Sequence, residues 1–102
     1  MTKAENITSL IVEELKRANG IYDYFNSSHE AYGVIKEEIE EAEIEMKKCK
    51  EALEAIWLRV KNNINYNEEI NQLKQASIAL IQEAIQVAAM CEKTIISIKK
   101  MK

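Results

Sequence analysis

Gly33-Val34-Ile35-Lys36-Glu37-Glu38-Ile39-Glu40-Glu41-Ala42-Glu43-Ile44-Glu45 is built from helix-compatible residues, and six glutamates occupy the nine positions from 37 to 45. At about 100° per residue, Glu38, Glu41 and Glu45 fall on one flank, because residues three, four and seven apart stack above one another. Like charges at that spacing repel. The stretch therefore calls for counter-charge, supplied either by water and salt or by a bound metal ion.

Outward from this stretch, Ile35, Ile39, Ala42, Met46, Cys49, Leu53, Ile56 and Val60 alternate steps of four and three, which is a heptad seam. One unbroken helix over about 28–62 follows. Its start is marked by Ser27-Ser28-His29-Glu30, a capping box with Ser27 as cap and Glu30 as its partner. Its end is marked by Asn62-Asn63-Ile64-Asn65-Tyr66-Asn67, where four asparagines favour a turn.

Beyond that turn, Glu68 and Glu69 suit the first turn of a third helix over about 67–100. Ile70, Leu73, Leu80, Ala84, Val87, Cys91, Ile95 and Ile98 are expected on one of its faces, with Ile78, Ile81, Ile85 and Ala88 as a second stripe. Lys99, Lys100 and Lys102 complement its carbonyl end. Upstream, Thr2-Lys3-Ala4-Glu5 has capping-box form and Asn19-Gly20 supplies a left-handed stop, so a first helix is expected over about 3–19. Ile7, Leu10, Ile11, Leu15 and Ala18 form its buried face, with Glu13, Glu14, Lys16 and Arg17 outward. The connection 20–26 carries Tyr22, Tyr24 and Phe25, aromatics that either plug a core or touch a ligand.

The fold expected is all-α: an antiparallel bundle of three helices in one domain spanning 1–102, with no proline and only two glycines to interrupt it. Two rods of about 50 Å and one of about 25 Å do not close a core, so a homodimer or homotetramer should complete it. Seventeen acidic residues against fourteen basic ones give a net charge of −3 without a basic stripe, which argues against nucleic acid. No apolar run is long enough for a bilayer. Cys49 and Cys91 lack C-x-x-C spacing and read as buried, reduced thiols of a cytoplasmic protein.

Between Gln75 and Cys91 the only charged residue is Glu83, amid Ala79, Leu80, Ile81, Ala84, Ile85 and Val87. A charge there must be paired, hydrogen-bonded or ion-bound. Glu38 and Glu41 on the second helix and Glu83 and Gln86 on the third are both i, i+3 pairs; facing each other, they make an all-oxygen pocket that suits magnesium or manganese.

Glu37-Glu38-Ile39-Glu40-Glu41 matches E-E-x-x-E, and Glu83-Ala84-Ile85-Gln86 resembles the E-x-x-D half of the MazG-like, all-α nucleoside triphosphate pyrophosphohydrolases. The flanking Phe25-Asn26-Ser27-Ser28-His29-Glu30-Ala31-Tyr32 and Glu83 to Met90 are similar to a small MazG-like branch met in phages and their bacterial hosts. The resemblance spans roughly residues 7 to 98. It implies magnesium-dependent cleavage of a (deoxy)nucleoside triphosphate to the monophosphate and pyrophosphate. Glu38, Glu41 and Glu83 would hold Mg2+ (or Mn2+), with Gln86 as a further oxygen, and Glu37 would orient or deprotonate the attacking water. Gln86 stands where the family has aspartate, and its amide brings an oxygen without a charge. Lys93, His29 and Phe25 are the expected substrate contacts. The alternative is a catalytically inactive, self-associating helical module whose glutamates are a solvated face.

Overall fold

The structure, a computed structural model, describes residues 4–19 and 24–101. Those residues form three helices and no strand: α1 (Ala4–Asn19), α2 (Ser28–Lys61) and α3 (Asn67–Met101). The expected all-α bundle is present. The Thr2 cap, the Gly20 stop, Ile21, Tyr22, Asp23 and Lys102 lie outside the described residues.

Each described boundary has a local cause. Ser27 adopts an extended conformation (φ −150°, ψ 161°) and its Oγ accepts from the Glu30 N–H at 3.1 Å. Glu30 Oε1 in turn accepts from the Asn26 N–H at 3.2 Å, one residue earlier than a standard capping box reaches. At the other end of α2, Asn63 has φ 54°, the left-handed region that asparagine tolerates. The Ile64 N–H donates to the Arg59 carbonyl at 2.8 Å and the Asn63 N–H to the Val60 carbonyl at 3.1 Å, the two bonds of a Schellman motif. The Asn65 side chain then accepts from the Asn67 N–H at 2.9 Å as α3 begins.

This turn folds α3 back along α2. Arg59 Nε lies 3.5 Å from Glu69 Oε2 beside the turn, and Ser28 Oγ lies 4.0 Å from Met101 Sδ at the far end, so the two helices are antiparallel. α1 lies against α3. Ile11 and Leu15 reach the core of Phe25, Ala31, Ala89 and Met90 there, together with Val34, Ile35 and Met101. The molecule measures 61 × 27 × 20 Å, because α1 covers only one half of a long hairpin. No helix among the described residues is long and apolar enough to cross a membrane.

The phase of the seam differs from the sequence expectation. On α2 the inward positions are Ala31, Ile35, Glu38, Ala42, Glu45, Cys49, Ala52 and Ile56, still in steps of four and three. Ile39, Met46, Leu53 and Val60 lie one step round the helix and are exposed. On α3 the inward positions are Leu73, Ala76, Leu80, Glu83, Val87, Met90, Thr94, Ser97 and Met101, whereas Ile70, Ala84, Cys91, Ile95 and Ile98 are exposed. Alanines at several seam positions let the backbones approach, and a hairpin paired along small residues leaves its larger side chains outside. Cys49 is half-buried, and Cys91 is exposed rather than buried.

Candidate metal centre

The shifted seam carries glutamates into the interface. Glu38 of α2 and Glu83 of α3 both occupy inward positions where a bundle ordinarily places a hydrophobe, and Glu41 sits one turn beyond Glu38 at the edge. One carboxylate oxygen from each of Glu38, Glu41 and Glu83 lies within 4.8 Å of the others.

Two of the three, Glu83 and Glu38, hold their protons more tightly than ordinary glutamates do. Glu83 is raised first by burial, then by a hydrogen bond and charge from Glu41, then by the charges of Glu38 and Glu45. Glu38 is raised by burial and by the charges of Glu41, Glu14 and Glu37, against a smaller opposing pull from Arg17. Both causes penalise the ionised form.

Gln86 bridges the pair. With its amide nitrogen turned toward the acids, it donates to Glu38 Oε2 at 2.7 Å and to Glu83 Oε2 at 3.2 Å. In this orientation the glutamine holds two carboxylates through its N–H groups. Rotating the amide by half a turn would present its oxygen instead.

The donor set fits a hard divalent cation. With metal–oxygen distances of about 2.1 Å, oxygens on opposite sides of magnesium are about 4.2 Å apart and adjacent ones about 3.0 Å. Small side-chain rotations bring atoms already within 4.8 Å to that spacing. Histidine and cysteine are absent from the cluster, which disfavours zinc.

The other expected site residues lie elsewhere. Glu37 is exposed next to Glu38, and its charge is felt there. His29 is exposed in the first turn of α2, about 13 Å along the helix from Glu38 by its nine-residue separation. Phe25 is buried in the core, its ring covered by the Lys93 ammonium at 4.7 Å from the centroid. Neither Phe25 nor Lys93 lines the groove beside the acidic cluster: Phe25 belongs to the core, and the Lys93 ammonium lies over its ring.

Two features escaped the sequence reading. Ser97, fully buried, accepts from the Phe25 N–H at 2.7 Å and donates to the Lys93 carbonyl at 2.7 Å, which ties the connection before α2 to α3. Its signal was its seven-residue register with Glu83 and Met90. Arg17 is exposed, as expected, but it is ion-paired with Glu14, which was expected outward and is half-buried. This pair lines a groove of about 390 Å³ between α1 and α3, together with Leu10, Glu13, Gln82, Glu83, Ile85 and Gln86. No signal within α1 marks it, because the groove exists only once α1 docks. Compared with protein-family models, curated proteins and solved structures, the chain matches none.

Proposed function

We propose that this chain is a magnesium- or manganese-dependent nucleotide pyrophosphohydrolase that cleaves a nucleoside triphosphate to the monophosphate and pyrophosphate. The observation that supports it is the convergence of Glu38, Glu41 and Glu83 from two helices on one small volume, where burial and mutual repulsion raise the pKa of Glu38 and Glu83. The E-E-x-x-E resemblance supplies the nucleotide part of the reading.

In this reading the three carboxylates hold the cation, which when bound offsets charge on the phosphates. Gln86 keeps Glu38 and Glu83 aligned. Glu37, open to solvent beside Glu38, accepts the proton of the attacking water. Water oxygen bonds to the α-phosphorus, the bond to the α–β bridging oxygen breaks, and pyrophosphate leaves with that oxygen. Arg17, on the wall of the adjoining groove, is the guanidinium best placed to exchange Glu14 for a phosphate, a role the sequence had suggested for Lys93.

A second reading, a self-associating helical module without turnover, is favoured by the exposed apolar residues of α2. A screen of nucleoside triphosphates for magnesium-dependent pyrophosphate release separates the two. Release that is lost in Glu83→Gln supports the enzyme. No release from any nucleotide, with magnesium or manganese, favours the module.

A further inference from the structure

Between α2 and α3 runs an open groove of about 550 Å³ that no residue of α1 lines. Its floor is made by the methyl groups of Ala52, Ala55, Ala76 and Ala79, and its rim carries the carboxamides of Asn71, Gln72 and Gln75. The three amides are exposed, and none hydrogen-bonds to another described residue. The groove leads out of the acidic cluster. On α2, Glu45 follows Glu41 by one turn and Lys48 lies three residues further; on α3, Ala79 precedes Glu83 by one turn and Gln75 by two. The charge of Glu45 is felt at Glu83. The Arg17 groove shares no lining residue with this one: it meets α3 at 82–86, whereas this groove meets α3 at 71–79. Glu83 therefore stands where one groove ends and the other begins.

We infer that this groove is the base subsite of the nucleotide substrate, with the Gln75 amide, and Gln72 beyond it, reading the edge of the base. The inference rests on the function proposed above, which sets the phosphates on the cation and Arg17, so that the nucleoside end leaves the cluster the other way. Reach fits: Gln75 precedes Glu83 by eight residues, or about 12 Å along α3, the span that a sugar and base cover from an α-phosphate at the cluster. Charge fits as well. The charged groups lining the groove, Glu45, Lys48 and Glu51, sum to one negative charge, and Lys48 is paired with Glu45 at 3.3 Å. Such a lining disfavours a further phosphate and accepts a neutral ring. No aromatic residue lines the groove, so the base is told apart by hydrogen bonds rather than by stacking. A carboxamide presents a donor and an acceptor side by side, the complement of a base edge that carries both, as adenine does at N6 and N7. An apolar floor with a few polar groups on its rim is the usual make-up of a small-molecule site.

The side-chain amide resonances of the isotope-labelled full chain, with magnesium present, report on the groove without any turnover. Adding a nucleoside monophosphate should shift the Gln72 and Gln75 signals, and adding ribose 5-phosphate should leave them in place. Signals that stay put with every base, or that move equally with ribose 5-phosphate, overturn the inference. In the assay of pyrophosphate release, Gln75→Ala changes an exposed position and keeps the helix. It should raise KM for the preferred nucleotide by about tenfold, the worth of one hydrogen bond, and narrow the spread among bases. Ribose 5-triphosphate, which has no base to read, should be affected far less. A ranking of bases that is the same in the parent chain and in Gln75→Ala also overturns the inference. Amide shifts in a chain that releases no pyrophosphate uphold the base subsite and end the catalytic reading alone.

Discussion

With its nitrogen turned toward the acids, the Gln86 amide donates to both Glu38 Oε2, at 2.7 Å, and Glu83 Oε2, at 3.2 Å, so a neutral side chain spans the two helices where two negative ones meet. It does part of what a cation would do there, placing positive N–H dipoles between carboxylates. Gln86→Asp removes both donors and adds a charge. Thermal unfolding of the metal-free variant should show a loss of about 1–2 kcal/mol, while its stabilisation by magnesium should exceed that of the parent chain. No gain in the magnesium response would place Gln86 outside the cation site.

Magnesium at millimolar concentration should raise the melting temperature of the parent chain, because a ligand bound only by the folded state stabilises it by mass action. Glu38→Gln should abolish that rise and itself be neutral or stabilising without metal, since it removes a repelled charge. An equal magnesium response in the parent and in Glu38→Gln would dissociate the carboxylate cluster from metal binding.

Acidification should stabilise the metal-free fold. Glu38 and Glu83 are raised in the folded state, so between the ordinary glutamate value of about 4.3 and their raised values the native chain binds more protons than the unfolded one. The dependence of stability on pH is then negative, and the melting temperature should climb as pH falls from neutrality toward about 5. Glu14 works the other way, being lowered by its hydrogen bond to Arg17, but its contribution is lost only below that window. Saturating magnesium should flatten the climb. A melting temperature that drops steadily over this range would contradict the clustering of the two acids.

Gly33 lies inside α2, and a Cβ built on it meets nothing within 4 Å. Close helix approach therefore does not explain this glycine. Gly33→Ala should stabilise the protein by about 0.5–1 kcal/mol, through helix propensity alone, read as a higher urea midpoint with an unchanged slope.

Ser97→Ala deprives the Phe25 N–H of its acceptor in a buried place. A loss of about 1–3 kcal/mol is expected, with faster proteolytic cleavage in the connection ahead of α2. Unchanged stability would mean that water replaces the hydroxyl.

Helix type and length, the Ser27 cap, the asparagine turn and the two i, i+3 pairs, Glu38 with Glu41 and Glu83 with Gln86, were all legible along the chain, because each depends on residues within about one heptad. The phase of the α2–α3 seam was not. Ile35, Ala42, Cys49 and Ile56 are flanked on one side by Ile39, Met46 and Leu53 and on the other by Glu38, Glu45 and Ala52, and both stripes satisfy the same period. Hydrophobicity alone favours the isoleucine side. Tertiary packing decided for the side where Ala31, Ala42 and Ala52 let the helices close, and it carried Glu38 inward to meet Glu83. The Arg17 groove and the Phe25–Ser97 bond likewise join residues 65 or more positions apart. Local periodicity constrains which faces a helix has, whereas the identity of the buried face is a property of the surfaces that meet.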